Sequence, residues 1–408
     1  MSTKNATVEY GLLVKSAKQL VQIVNGGQKS LTSSGQGQGY IEKLGNDSEV
    51  RQWLGCNKVE KVIDASNKVV MPGLVDGHTH AVWAGDRVHE FAMKLAGATY
   101  LDVHKAGGGI HFTVRHVAEA SEDQLFNDLR IYLLKMLQAG TTLVEVKTGY
   151  GLKWESELKM LRVIERAIRD ESIAIDISVT YCAAHAVPIG MTAEEATVNI
   201  IEEQIPELQR LRLAGEIHVD NIDVFCEVGV FDVNQTIRIL KAGIEIGLKM
   251  GASLNSTSMS HLEEISDEGI EAMSQSNTVA VLLPTTAYIL RLQPPPARKM
   301  IKAGVAVALG SDFNPNAHCF AMPIVMHLAC IQLKLTMQES LVAATLNAAA
   351  SLSRSDVSGS LEEGKYGDIL VLDAPRWEHL IFQLGSHHHV IEYVIKRGRV
   401  VHQSSRLS

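Results

Sequence analysis

His78 and His80 stand one residue apart at the end of the run Met71-Pro-Gly-Leu-Val-Asp-Gly-His-Thr-His80. On an extended backbone alternate side chains share a face, so a strand here would set the two imidazoles side by side. Imidazole nitrogen is a ready ligand for zinc or iron, and two such groups on a rigid strand end are half of a metal site. In an irregular loop the same His-x-His carries no such meaning. A second candidate is Asp312, which follows the apolar run Val305–Leu309. A carboxylate at the end of a buried strand is costly unless it is paired or meets a cation; the plainer role for Asp312 is a helix N-cap. His185 and His261 also close strand-like runs, and singly each reads as a hydrogen-bonded core or rim histidine.

The surrounding pattern alternates strand and helix. Glu122 to Ala139 has apolar residues at 125, 126, 129, 133, 134, 136 and 137, which is helical spacing, and Thr141 to Lys147 follows as a strand. Further helices are expected over Glu155–Arg169, Thr192–Leu213 (interrupted by Pro206) and Asp232–Met250, the last with Asp232 as N-cap. Seven strands are expected, ending near His78, Lys147, His185, Glu227, His261, Thr285 and Asp312. This is the pattern of an α/β fold, a (β/α)8 TIM barrel over residues 71–359, with chemistry at the strand C-terminal ends. Before it, Tyr10–Val14, Val21–Val24, Tyr40–Leu44 and Val59–Ile63 read as short strands, with a loop over Leu31–Gly39. After it come Gly364–Leu372 and Val390–Val400. Residues 1–70 and 360–408 are therefore expected to form one small composite β-sandwich. His387–His389 lie in that part and would point to both faces of a strand, so they are assigned no function.

Composition narrows the classes of function. The 408 residues are 46% hydrophobic and 21% charged with a net charge of −8, which disfavours nucleic acid or an anionic membrane as partner. The N-terminus has no signal-peptide pattern and no run is long enough to span a bilayer. The five cysteines form no Cys-x-x-Cys and read as reduced thiols of a cytoplasmic protein. Gly107–Gly109 lacks the spacing of a nucleotide loop, and Glu263 and Glu264 are expected to be solvated or to start a helix.

PGLVDGHTH and VALGSD together resemble the amidohydrolase superfamily of metal-dependent hydrolases. WAGDRVHEFAMKLAGATY, AGGGIHFTVR, EVKTGYGL with ESELKMLRVIERA, EIHVDNIDVFCE, SHLEE, LLPTTAY and ALGSDFNPNA are similar to the imidazolonepropionase family. That likeness runs from about Pro72 to Val400. It implies hydrolysis of the cyclic amide of 4-imidazolone-5-propanoate to N-formimidoyl-L-glutamate in histidine degradation. It further implies one divalent metal per subunit, zinc or iron, a small-molecule substrate as partner and a homodimer as candidate assembly. By the same likeness His78, His80 and Asp312 are metal ligands, and Asp312 also carries the catalytic proton. Arg87 meets the substrate carboxylate, Tyr150, His185 and Asn314 make further substrate contacts, and His261 is a catalytic polar group facing the reacting centre.

One stretch departs from the family pattern. Between IDVFCE and SHLEE the family carries a strand ending in a His, the third imidazole on the metal, with a Glu three residues on. Here Met250 is followed at once by Gly-Ala-Ser-Leu-Asn-Ser-Thr-Ser-Met-Ser-His261, and no His lies between His218 and His261. A strand and a helix need roughly 15–20 residues at typical lengths. The barrel is therefore expected to be incomplete near residue 250, with unpaired edges between its fourth and sixth strands. The metal site is expected to lack its third imidazole. The alternative function is accordingly a catalytically impaired or inactive chain that acts at most as a subunit partner.

Overall fold

The computed structural model describes residues 9–23, 39–98, 102–103, 106–250 and 257–404. Its centre is a set of parallel strands. β1 (Leu74–Asp76), β2 (Thr141–Lys147), β3 (Asp176–Ala184), β4 (Asn221–Val224) and β5 (Lys249–Met250) pair in that order as one five-stranded sheet. β6 (Ser258–Ser260), β7 (Val279–Leu282) and β8 (Val307–Leu309) form a second sheet of three. All of these pairings are parallel. A parallel bridge between Thr79 and Phe313 joins the residues just beyond β1 and β8, so the two sheets meet on that side. β2 is buried along its whole length, as expected of a strand covered on both faces.

All seven expected strands are present, and the eighth corrects one expectation. The helix read over Asp232–Met250 spans Val233–Glu245, started by a capping box between Asp232 and Gln235. Gly247 then takes φ +81, and Lys249–Met250 pairs with Asn221 and Ile222 as β5. Among the described residues the fifth strand is thus present, as Lys249–Met250, rather than absent. Only residues 251–257 separate it from β6. A parallel neighbour needs a crossover of about a dozen residues or more, and among the described residues β5 and β6 are not paired.

The helices follow their apolar spacing. Glu122–Gln138 is capped by Ser121 and buries Leu125, Leu129, Leu133, Met136 and Leu137. Pro206 has no N–H to continue a helical ladder, and the turn before it widens into a π-helix at Ile200–Gln204 between the helices Ala193–Asn199 and Ile205–Leu213.

Both ends of the chain enter one further sheet, ordered Arg399–Gln403, Ile391–Lys396, Ile369–Leu372, Val69–Pro72 and Gln19–Leu20. A separate parallel pair, Glu9–Lys15 with Lys58–Asp64, shares a small core with it through Ile63, Val70, Val371 and Ile395. Several local expectations there are corrected. Tyr40 makes only an isolated bridge to Tyr366, and His387–Val390 is a short helical turn rather than part of a strand. The strand expected over Val21–Val24 lies at Gln19–Leu20 instead; Val24 and all of the Leu31–Gly39 loop but Gly39 fall outside the described residues. Asp47–Leu54 is a helix. Among the described residues no helix is long and apolar enough to cross a membrane.

Candidate functional site

The tails of β1 and β8 are laced together by backbone. Asp312 donates its N–H to the His78 carbonyl at 2.9 Å, and His80 donates to that of Phe313 at 2.9 Å. Gly310 permits this approach, since a Cβ there would stand 2.7 Å from the His78 Cβ. Underneath, buried Asp76 accepts the Ser311 N–H at 2.8 Å and its hydroxyl at 2.5 Å. The result is one buried group, His78, His80 and Asp312, whose ligand atoms all lie within 4.8 Å of one another. Among the described residues it is the group of three or more such side chains close enough to hold a metal ion.

The electrostatics suit a cation. Burial first, then Lys147 and His80, holds His78 well below the ordinary imidazole pKa, and burial, His185 and Lys147 do the same for His80. Both rings are neutral at pH 7, so each offers a lone pair. The Nε2 atoms stand 3.6 Å and 3.9 Å from Asp312 Oδ1, too far for hydrogen bonds. His78 Nδ1 lies 2.9 Å from the Ser260 hydroxyl, while its Nε2 is buried with no hydrogen-bond partner among the described residues. Ligand atoms that share an ion at about 2 Å each stand roughly 3–4 Å apart. The orphaned nitrogen and these separations fit a divalent metal. Asp312 is pushed up by burial, against the pull of His261, and its Oδ2 accepts the Thr286 hydroxyl at 2.5 Å.

The other expected residues surround this group to different degrees. The His185 ring stacks on His80 at 4.5 Å, and Tyr150 packs 5.7 Å from His80 and 5.3 Å from His185. His185 Nδ1 lies 3.0 Å from the Gly149 carbonyl, which can only accept. That nitrogen therefore carries the hydrogen and Nε2 is left as an acceptor. Burial lowers the His185 pKa to about 4, so it too is neutral. His261 stands edge-on to His78 at 5.6 Å with φ 71. Burial works against its charge, but Glu263 and Asp312 outweigh it and raise its pKa. The expectation that Glu263 is solvated or starts a helix is corrected: its side chain is 13% exposed and 3.7 Å from His261, and the next helix begins at Asp267.

Arg87 is only 9% exposed and makes a two-point pair with buried Glu90, at 2.9 and 2.7 Å. Glu90 also accepts the Gly109 N–H at 2.9 Å, which gives the glycine run a structural task. Asn314 is largely engaged in its own turn, donating to the Asp312 carbonyl at 2.6 Å and accepting from Asn316 at 2.7 Å and Ala317 at 3.1 Å. Sequence reasoning did not single out Ser260, Thr286, Glu90 or the buried Lys147–Glu145–Asp223 cluster. Thr286 had a signal, as a polar residue beyond the apolar strand Val279–Leu282; Ser260, in the polar run Ser256-Thr-Ser-Met-Ser260, had none.

Residues 185–402 match the model of a family described as amidohydrolase family. A Xenopus tropicalis protein named probable imidazolonepropionase is 52% identical over 428 aligned positions, covering 98% of this chain and 99% of its own. One of the same name from Nematostella vectensis is 58% identical, covering 89% of this chain and 88% of its own. Among solved structures, an adenosine deaminase from Xanthomonas campestris with bound zinc superposes with a TM-score of 0.59 at 18% identity, over 97% of this chain and 93% of that one. The likeness to the Xenopus tropicalis protein runs over more positions (428) than this chain has residues (408), so part of that relative has no counterpart here.

Proposed function

Because the chain belongs to the imidazolonepropionase family of amidohydrolases, we propose that it hydrolyses 4-imidazolone-5-propanoate to N-formimidoyl-L-glutamate in the cytoplasm. The observation that carries this reading is the buried His78–His80–Asp312 group with its unpartnered His78 Nε2. These side chains hold one divalent cation per subunit, zinc or iron. When bound, the cation supplies Lewis acidity toward the ring carbonyl and toward water. Three protein ligands is the usual number in catalytic zinc sites, because it leaves a coordination position open. Two imidazoles and a carboxylate are equally a known set for ferrous iron. Loss of the family's third imidazole therefore leaves a workable ligand count. As scaffold we infer a (β/α)8 barrel over residues 71–359, incomplete near residue 250, beside a β-sandwich built from 1–70 and 360–408.

The remaining roles belong to the chain's own groups. Asp312 takes a proton from the attacking water and returns it to the ring nitrogen that leaves. Its Oδ2 is held by Thr286 during the transfer. His185, neutral and unprotonated at Nε2, accepts a ring N–H of the substrate. Burial holds Tyr150 far above its ordinary pKa, so it serves as a neutral phenol donor. His261 faces the reacting centre, and the second amide N–H of Asn314 completes the polar wall.

Arg87 meets the propanoate carboxylate with the donors that Glu90 leaves free. Arg87→Lys keeps the charge but loses the planar fork, so KM is expected to rise roughly tenfold or more while kcat changes little. Steady-state kinetics on the substrate's absorbance checks this, and an unchanged KM would remove Arg87 from the pocket. The proposal as a whole is tested by loading the protein with zinc or ferrous iron, measuring metal content, and following the same absorbance. One metal per subunit with turnover is the expected result. A fully loaded protein with no turnover above background would favour the inactive subunit partner instead.

A further inference from the structure

Glu157 is fully buried, near the start of the helix Trp154–Arg169, and is bonded back to the loop that precedes it. One oxygen, Oε1, accepts the N–H of Gly149 at 3.2 Å, of Gly151 at 2.7 Å and of Leu152 at 2.7 Å. The loop needs such a clamp. Leu152 has φ 60, a conformation that a branched side chain adopts only when its surroundings enforce it. Gly151 leaves the space for the carboxylate, since a Cβ there would come within 2.4 Å of the Glu157 backbone nitrogen and 2.7 Å of Oε1.

The same loop enters the site twice. It carries Tyr150, packed against both His80 and His185. Its Gly149 carbonyl receives the His185 Nδ1 hydrogen, which is what leaves His185 Nε2 open as an acceptor. We propose that Glu157 is the positioning residue of the substrate pocket: by holding the backbone of 149–152 it places Tyr150 and fixes the orientation and tautomer of His185. This rests on the reading above, in which Tyr150 and His185 meet the substrate. Glu157 itself touches neither the substrate nor the Asp312 proton path, so its effect falls on binding rather than on the chemical step.

The test uses Glu157→Ala and Glu157→Gln in the full-length, metal-loaded protein. Glu157→Ala is expected to raise KM roughly tenfold with kcat within about twofold of the parent. Glu157→Gln keeps an acceptor oxygen in place and is expected to bring KM back to within roughly threefold. An unchanged KM in a folded Glu157→Ala protein, or a fall in kcat alone, overturns the proposal. Hydrogen exchange on the unmodified protein decides the matter independently of folding or turnover. The amides of Gly149, Gly151 and Leu152 are expected to exchange as slowly as those of β2, and rapid exchange at all three overturns the proposal. If the parent shows no turnover of 4-imidazolone-5-propanoate, the functional reading falls, while the exchange result still says whether Glu157 holds the loop.

Discussion

Replacing Asp312 with Asn is expected to lower kcat/KM by roughly 10²–10⁴-fold, the range for removal of a general acid–base group. Asn is the informative choice because Asp312 sits at φ 48. Asn tolerates that left-handed conformation nearly as well as Asp, whereas most residues add backbone strain that would confuse the result. An Asn side-chain oxygen can still accept the Thr286 hydroxyl that Asp312 Oδ2 accepts at 2.5 Å. What is lost is the negative charge and the capacity to carry a proton. Asp312 has two tasks in the proposal, ligand and proton carrier, and two measurements divide them. Metal content after dialysis reports the first, and kcat in saturating metal reports the second. A variant that keeps its metal and loses kcat identifies the proton task as the larger. Full activity in Asp312→Asn would remove Asp312 from the chemistry altogether.

The site was legible wherever an apolar run ended in a polar residue. His78, His80, His185 and Asp312 follow strands whose hydrophobicity marks them without help from neighbours, whereas His261 follows the half-polar strand Ser258–Ser260 and is marked only by the alternation of strand and helix around it. Parity along an extended backbone then brings the first two together, and the parallel arrangement brings the other ends to the same side. Glu90 and Glu157 were not legible. Both lie in helices, where a charged residue ordinarily reads as a solvent face. Their burial arises because the loops at Gly109 and at 149–152 fold back and present N–H donors. No local periodicity carries that information. Asp47–Leu54 went unread although Val50, Trp53 and Leu54 keep helical spacing and Asn46 and Glu49 form a capping box; eight residues with none buried make a weak signal.

The stretch near residue 250 shows how a boundary misleads. Leu248, Lys249 and Met250 continue the apolar rhythm of the helix before them. Only the left-handed turn at Gly247 ends that helix and releases two residues to pair with β4. The shortage of residues before β6 was nonetheless correctly read, because it rests on chain length rather than on propensity. Among the described residues β5 and β6 are unpaired, and the parallel strands are also tied together by charged side chains in their interior.

Lys147→Met is accordingly expected to have the largest effect on stability, about 3–5 kcal/mol, the range for breaking a buried ion pair from one side. Lys147 ends β2 with a 4% exposed side chain, and its ammonium reaches Glu145 at 2.9 Å and Asp223 at 2.8 Å. Burial opposes the charge on Lys147, but Asp223 and Glu145 outweigh it and raise its pKa. Burial pushes Glu145 up; it works the same way on Asp223, but the charge and hydrogen bond of Lys147 outweigh it and hold Asp223 below its ordinary value. Methionine fills much the same space, so the loss is of charge rather than of volume. It leaves two carboxylates facing each other without their cation. In the variant both should bind protons more tightly in the folded state than in the unfolded one. A carboxyl with a raised folded pKa destabilises the fold above its unfolded pKa, and that deficit shrinks as pH falls toward it. The gap in melting temperature between variant and parent should therefore be wide at pH 7 and narrow toward pH 5. Asp223→Asn added to Lys147→Met removes one of the stranded charges and is expected to restore part of the loss. A gap that stays constant with pH would mean that packing at position 147, not its charge, is what the fold depends on.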